Sequence, residues 1–258
     1  MNRLANKTVL ITGASSGIGY SCATLLAASN VNLILLSRRE EKLQKLKNEL
    51  LEKHNHSIEI IVVSCDVTKR IDVTQKISSI VDNHTIDILI NSAGLALGFD
   101  RIDEGNIDDW ETMIDTNIKG VLFVLKEVIP QMRRNNKGHI INIGSIAGEI
   151  AYPNGNVYCS TKAAIKILNE AINIDLIGTN IRVSNIMPGA VNTEFSKVRF
   201  KGDQDRADKV YQGFQPLTGD DIADLIVYIL NTPAHVNIQN TLITPTNQRN
   251  AYVLHRDN

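Results

Sequence analysis

Seven short β-rich runs alternate with longer stretches of helical period along this chain, and that alternation limits the fold more than any other feature. The runs are TVLIT, VNLILLS, IEIIVVS, IDILINS, GHIINIGS, IRVSNIMPG and NTLITPT. Several are almost continuously apolar, which suits parallel strands covered by helices on both faces. The clearest helical segment is Glu40 to Lys53, where Leu43, Leu46 and Leu50 recur at steps of three and four among charges. Repetition of this kind predicts an α/β chain with a doubly wound, seven-stranded parallel sheet and helices on both faces. In such a sheet, ligands bind at the carboxyl ends of the strands. No linker, repeat or low-complexity segment interrupts the 258 residues, so a single domain is expected over 1–258. Residues 192–215, NTEFSKVRFKGDQDRADKVYQGFQ, are the least patterned. So long a segment in a compact domain is expected to be a lid, with or without two short surface helices.

Directly after the first run comes TGASSGIG. Gly13, Gly17 and Gly19 permit a tight turn, close approach of backbone to a ligand and close packing of helix on strand. The N–H groups opening the next helix can receive a pyrophosphate. The spacing departs from G-x-G-x-x-G, and it is the place between strand and helix that makes it a dinucleotide signal. The second run ends in Ser37, Arg38 and Arg39, where an acid would hold the ribose hydroxyls of NAD. Two guanidiniums suit a 2′-phosphate instead, so NADP is the expected cofactor. Asp66 ends the third run and NSAG, Asn91 to Gly94, the fourth, on the same rim. Asp66 there is either an acceptor for the adenine amino group or a turn residue.

In GNVYCSTKAAI, Tyr158 and Lys162 stand four positions apart, on one face of a helix and one turn from each other. An ammonium beside a phenol, with a cationic nicotinamide ring, favours the phenolate and lowers a pKa that is ordinarily ~10. That fits proton exchange with an oxygen whose carbon trades hydride. Ser145, at the end of the fifth run, offers a second hydrogen bond to the same oxygen. Asn117, in DTNIKG, falls in the helical stretch after Trp110, where an amide is an unusual filler for an apolar face. Singly, these four read as a cap, a packing residue, a solvated lysine and a satisfied core amide; together on one rim they read as a site.

Lys plus Arg number 27 against 28 for Asp plus Glu, so no basic field draws the chain to nucleic acid or an anionic membrane. The same balance weighs against a substrate carried on a very acidic protein. Cys22, Cys65 and Cys159 have neither disulfide nor zinc spacing, so no metal is expected and a reduced, cytoplasmic setting is. Apolar runs such as VLFVL fall far short of the ~18 residues of a membrane helix, and no signal-length apolar stretch precedes the first strand.

TGASSGIG, NSAG, Asn117, Ser145, YCSTK and MPG occur in the order and approximate spacing of the short-chain dehydrogenase/reductase family, which nearly the whole chain resembles. The resemblance implies a Rossmann fold, a catalytic tetrad of Asn117, Ser145, Tyr158 and Lys162, and usually a homotetramer. It implies that the lysine also holds the nicotinamide ribose and that the asparagine positions a water relaying protons to it. NADP would run from Ser15, Ser16 and Ile18 of the glycine loop, past Val67, Asn91, Ala93 and Gly94, to Pro188, Gly189, Val191 and Thr193 beyond the sixth strand. Ser92 in place of a second asparagine, and Cys159 after the tyrosine, depart from the family pattern at positions that carry no required chemical group.

Within the family, NSAGLALG, DWETMIDTNIKG, TEFSKVRFKGD and PAHVNIQNTLITPT resemble the NADP-dependent 3-hydroxy acid dehydrogenases. That subgroup oxidises serine, allo-threonine or 3-hydroxypropanoate at the 3-hydroxyl and reduces matching semialdehydes such as malonic semialdehyde. A small carboxylate of this kind needs a cation. The lid supplies Lys197, Arg199 and Lys201, and Arg199 fits best because a guanidinium binds carboxylate bidentately; solvated loop cations are the alternative. The same tetrad serves a broad carbonyl reductase, with specificity set by the lid and by residues near Leu95 to Phe99, or a 3-ketoacyl-carrier reductase. A redox-sensing NADP-binding protein without turnover is the alternative from another class, though it has no use for Tyr158 beside Lys162.

Overall fold

Successive side chains of a strand point to opposite faces, and here each face has its own core. In the computed structural model, which describes residues 2–55 and 57–257, Val9 and Ile11 of β1 (Thr8–Thr12) join one cluster and Leu10 the other. The domain expected over 1–258 thus leaves Met1, His56 and Asn258 outside the described residues. The first cluster packs against α1 (Gly17–Ala27), α2 (Glu40–Lys53) and α9 (Gly219–Leu230). The second packs against α3 (Arg70–Asn83), α5 (Gly120–Arg134) and α6 (Asn156–Asp175).

The remaining strands are β2 (Asn32–Ser37), β3 (Ile60–Ser64), β4 (Ile88–Asn91), β5 (Gly138–Ile143), β6 (Ile181–Pro188) and β7 (Asn240–Ile243). All pair in parallel, in the order β3-β2-β1-β4-β5-β6-β7. The order reverses direction at β1 and β4, the place where doubly wound sheets open a ligand crevice. Every expected strand forms, and α2 has the expected bounds. The seventh run stops at Ile243, three residues short of Thr246. Among the described residues, no helix is long and apolar enough to cross a membrane, and all three cysteines are free and buried.

A polar row crosses the sheet beneath its carboxyl edge. Asn91, Asn142, Asn185 and Asn240 are register partners on β4 through β7, with Thr12 next to Asn91 on β1. Asn91 donates to Asn142 at 2.9 Å, Asn142 to Asn169 of α6 at 3.0 Å, and Asn185 to Asn240 at 3.2 Å. Strand alternation therefore turns Asn91 into the layer below and away from the rim.

The helical stretch around Trp110 is two helices joined by one wide turn. α4 (Ile107–Ile114) runs into a π-turn (Asp115–Lys119) and then into α5. Single π-turns inside helices are costly and gather at functional sites. The segment 192–215 folds as α7 (Glu194–Arg199) and α8 (Gln204–Lys209), capped by the side chains of Thr193 and Asp203.

Candidate active site

The carboxyl ends of six strands open into one cavity of about 760 Å³, within the range of pre-formed small-molecule sites. Its floor takes Gly13 after β1, Ser37 to Arg39 after β2, Asp66 and Val67 after β3, and Ala93 and Gly94 after β4. Ser145 follows β5; Pro188 ends β6, and Gly189 and Val191 follow it. Ser15, Ser16, Gly17 and Ile18 line it from the start of α1, Tyr158 and Lys162 from α6, and Thr193 and Arg199 from the lid.

The glycine loop is shaped by contacts that leave no room for a side chain. Gly13 has φ +68° and Gly17 φ +54°, a region that L-residues rarely occupy. A Cβ on Gly13 would stand 2.9 Å from the backbone of Ala93, and one on Gly17 would close the gap to Thr193 at 3.3 Å. Gly19 does not reach the cavity; a Cβ there would stand 2.6 Å from the Gly13 carbonyl, so it serves the packing of α1 on the loop. Thr12 fixes the facing loop by accepting from the N–H groups of Ser92 and Ala93, each at 3.1 Å.

At the reacting end, Tyr158 is 8% exposed, Ser145 9% and Lys162 7%. The Ser145 hydroxyl accepts from Ala147 N–H at 3.1 Å and caps a short 3₁₀ turn. The Tyr158 ring meets Phe195 of the lid edge-on, centroids 5.5 Å apart. Lys162 Nζ donates to the Ile143 carbonyl at 2.8 Å and lies 6.0 Å from the centre of the Tyr158 ring. The expected lowering of the phenol pKa is not what the chain's own groups produce. Burial, with the neighbouring Tyr152 phenol, holds Tyr158 well above its ordinary value; Ser145 and the Arg199 charge pull it back only in part. Burial likewise lowers the Lys162 ammonium to about 8. Taking a charge out of water disfavours it on either group, and burial is the leading cause of both shifts.

Asn117 is 1% exposed and lies behind the cavity wall instead of on it. Its Oδ1 accepts from Leu95 N–H at 2.9 Å, while Nδ2 donates to the Leu95 carbonyl at 2.8 Å and to Thr161 Oγ1 at 3.0 Å. The side chain thereby joins the loop after β4 to α6. Asn91, expected on the rim, is 3% exposed and belongs to the polar row. Asp66 lines the cavity, but its Oδ1 accepts from Thr68 N–H and Thr68 Oγ1, at 3.0 and 2.8 Å, as a turn residue does.

Arg199 is the lid cation that reaches the phenol, its guanidinium carbon 5.8 Å from the Tyr158 ring centre. Nε donates to the Gly98 carbonyl at 3.0 Å and Nη1 to Tyr152 Oη at 2.8 Å, and the guanidinium carbon lies 4.7 Å from the centre of the Phe99 ring. Among the described residues no carboxylate pairs with it. Lys201 is held by Asp109 at 2.9 Å, and Lys197 is exposed. Arg38 lines the cavity with no hydrogen bond or ion pair among the described residues. Arg39 has its donors engaged by Ser15, Ser16 and Glu194.

Sequence reasoning missed Tyr152, Glu194 and the segment after β7. Gln248 supports the turn after β6, its Oε1 accepting from Ala190 N–H at 2.8 Å; Tyr252, Leu254 and Arg256 roof the cavity. Arg256 donates to the carbonyls of Val210 and Gln212 beyond α8. Periodicity carries no signal for such residues, because loops and tails reach the site through tertiary contact alone.

The family model for short chain dehydrogenase matches residues 7–204. The chain is 43% identical, over 99% of both chains, to an NADP-dependent 3-hydroxy acid dehydrogenase of Schizosaccharomyces pombe. It is 42% identical to a Salmonella typhi protein of the same description, over 93% of this chain and 95% of the relative. Among solved structures, the closed form of serine dehydrogenase complexed with NADP+ superposes with a TM-score of 0.87. Its sequence is 41% identical, over 96% of this chain and 99% of that one.

Proposed function

The chain belongs to the short-chain dehydrogenase family, and on that premise we propose that it is an NADP-dependent oxidoreductase acting on the 3-hydroxyl, or the matching carbonyl, of a small 3-hydroxy acid. The observation that carries this is Arg199, a guanidinium 5.8 Å from the ring of Tyr158 with no acidic partner among the described residues. A cation so placed selects a substrate whose carboxylate lies a few bonds from the reacting carbon. Relatives described as NADP-dependent 3-hydroxy acid dehydrogenases and a serine dehydrogenase support the same reading.

The residues fit a 2′-phosphorylated dinucleotide. The gap at Gly17 would be filled by a Cβ, the cavity crosses the sheet where strand order reverses, and Arg38 and Arg39 border it after β2. When bound, the cofactor supplies hydride to the carbonyl carbon or takes it from the alcohol. Tyr158, kept neutral by burial, holds a proton ready for the carbonyl oxygen in the reductive direction. Ser145 is placed to donate to that oxygen beside the phenol. Lys162, anchored on the Ile143 carbonyl, brings positive charge to the side where the nicotinamide ribose would lie. Asn117 positions the wall, holding Leu95 to α6. Phe99, Tyr152 and Phe195 keep water from the reacting carbon.

We further propose a cytoplasmic homotetramer. Support comes from Ile167 and Ile174, 61% and 71% exposed on α6, which a monomer leaves in water; sedimentation at four times the chain mass is expected. The test of the substrate class is Arg199→Ala. KM for a 3-hydroxy acid should rise about 100-fold with kcat little changed, while neutral alcohols are unaffected. Equal effects on both would remove Arg199 from substrate binding and leave the broad carbonyl reductase.

A further inference from the structure

A second knot of charge lies at the far end of the cavity from Tyr158. Glu194, the first residue of lid helix α7, places one carboxylate oxygen 2.7 Å from Arg39 Nη1 and the other 2.8 Å from Lys42 Nζ. Arg39 reaches at the same time across the glycine loop, donating from Nε to Ser15 Oγ at 3.0 Å and from Nη2 to Ser16 Oγ at 2.6 Å. One anion spanning a guanidinium and an ammonium is the arrangement a phosphate monoester takes. A residue of the substrate lid thus occupies Arg39, one of the two cations set aside above for the ribose phosphate.

We propose that Glu194 is an intramolecular competitor for the 2′-phosphate: it ties α7 to Arg39 and Lys42, and a phosphorylated ribose releases the lid by displacing it. The inference rests on the NADP assignment and deepens it: Lys42 becomes a third cation of the phosphate site, and lid position becomes linked to which dinucleotide is bound. Glu194 is ionised at any working pH, since Lys42 and Arg39 pull its carboxyl down to about 2. The clasp is nevertheless weak enough to exchange. The side chains of Arg39, Lys42 and Glu194 are 42%, 49% and 43% exposed, and ion pairs so wet gain little over their separated partners. A dianionic phosphate with three acceptor oxygens competes well for the same donors, and Arg38, unpaired beside them, adds to the phosphate alone.

The experiment uses the full chain and two fragments, 2′,5′-ADP and 5′-AMP, which differ in the phosphate at issue. Calorimetric titration of Glu194→Gln should give about tenfold tighter 2′,5′-ADP binding than the unmodified protein, with 5′-AMP unchanged. Glu194→Asp, too short to span both cations, should fall between. In the unmodified protein 2′,5′-ADP should speed tryptic cleavage at the exposed lid residues Lys197 and Lys201, 5′-AMP should not, and Glu194→Gln should be cut fast without ligand. Weaker or unchanged 2′,5′-ADP binding in Glu194→Gln would make Glu194 a support for Arg39 and overturn the competition. A lid cut at one rate under all conditions would overturn the coupling. An unmodified protein that binds both fragments equally would instead defeat the NADP assignment itself, a result seen without any variant.

Discussion

The two ends of the cavity run on opposite electrostatics. At the end bordered by Arg38, Arg39 and Glu194, the Arg39 and Lys42 charges stand half in water and pair with Glu194. At the other, Tyr158 and Lys162 are nearly enclosed, and burial drives both toward neutrality. Recognition of a charged group needs donors that can leave their partners and re-form bonds, which water makes easy. Proton transfer needs groups whose protonation is set by position, which water would erase. A single crevice in one sheet provides both because its middle is roofed by the lid and its far end is open.

The sharpest way to break this contrast is Tyr158→Phe. Turnover should fall about 10³-fold while NADP affinity, read by fluorescence titration, moves less than twofold. Comparable losses in both would mean that the ends are not separable.

Lys162→Met tests the buried end through stability. The folded protein holds this ammonium at about 8, against 10.5 ordinarily, so between those values the folded state binds fewer protons than the unfolded one. Stability of the unmodified protein should therefore climb as pH rises through that window, and below it the cost of burying the charge is present in full, at most about 3 kcal/mol. The methionine variant escapes that cost. It should unfold at higher urea than the unmodified protein at pH 7, less the bond lost to the Ile143 carbonyl, and the advantage should disappear above pH 10.5. Its activity should be lost despite the gain. A difference independent of pH would deny that burial sets the charge of this residue.

Arg38→Ala probes the wet end and should have the smallest effect, about tenfold weaker NADP with NAD unchanged. An equal loss for NAD would make Arg38 a general rim cation.

Legibility in the sequence divides along the same line. The strands, the glycine turn and the Tyr158–Lys162 pair are fixed by local rules, strand period, turn sterics and helical stacking, and each stands where those rules put it. The side chain of Asn91 is less legible, because a strand end faces either rim or layer and only register with Asn142 decides between them. Burial at the phenol has no signal in the sequence, because spacing gives proximity without burial. Tyr152 and Glu194 make their contacts across 47 and 155 residues of chain, distances at which no periodic pattern speaks.

The π-turn at Asp115–Lys119 has a consequence for how this chain tolerates change of length. A wide turn holds one residue more than a regular helix would, and each residue advances a helix by about 100°. Excising a single residue from the turn would let α4 and α5 fuse into one continuous rod, an outcome favourable to the helix itself. Asn117 would swing a quarter-turn off its seat on Leu95, and the loop after β4 would come unpinned from α6. The spare residue works like a spacer washer, keeping two stiff parts out of phase so that a third can be bolted between them.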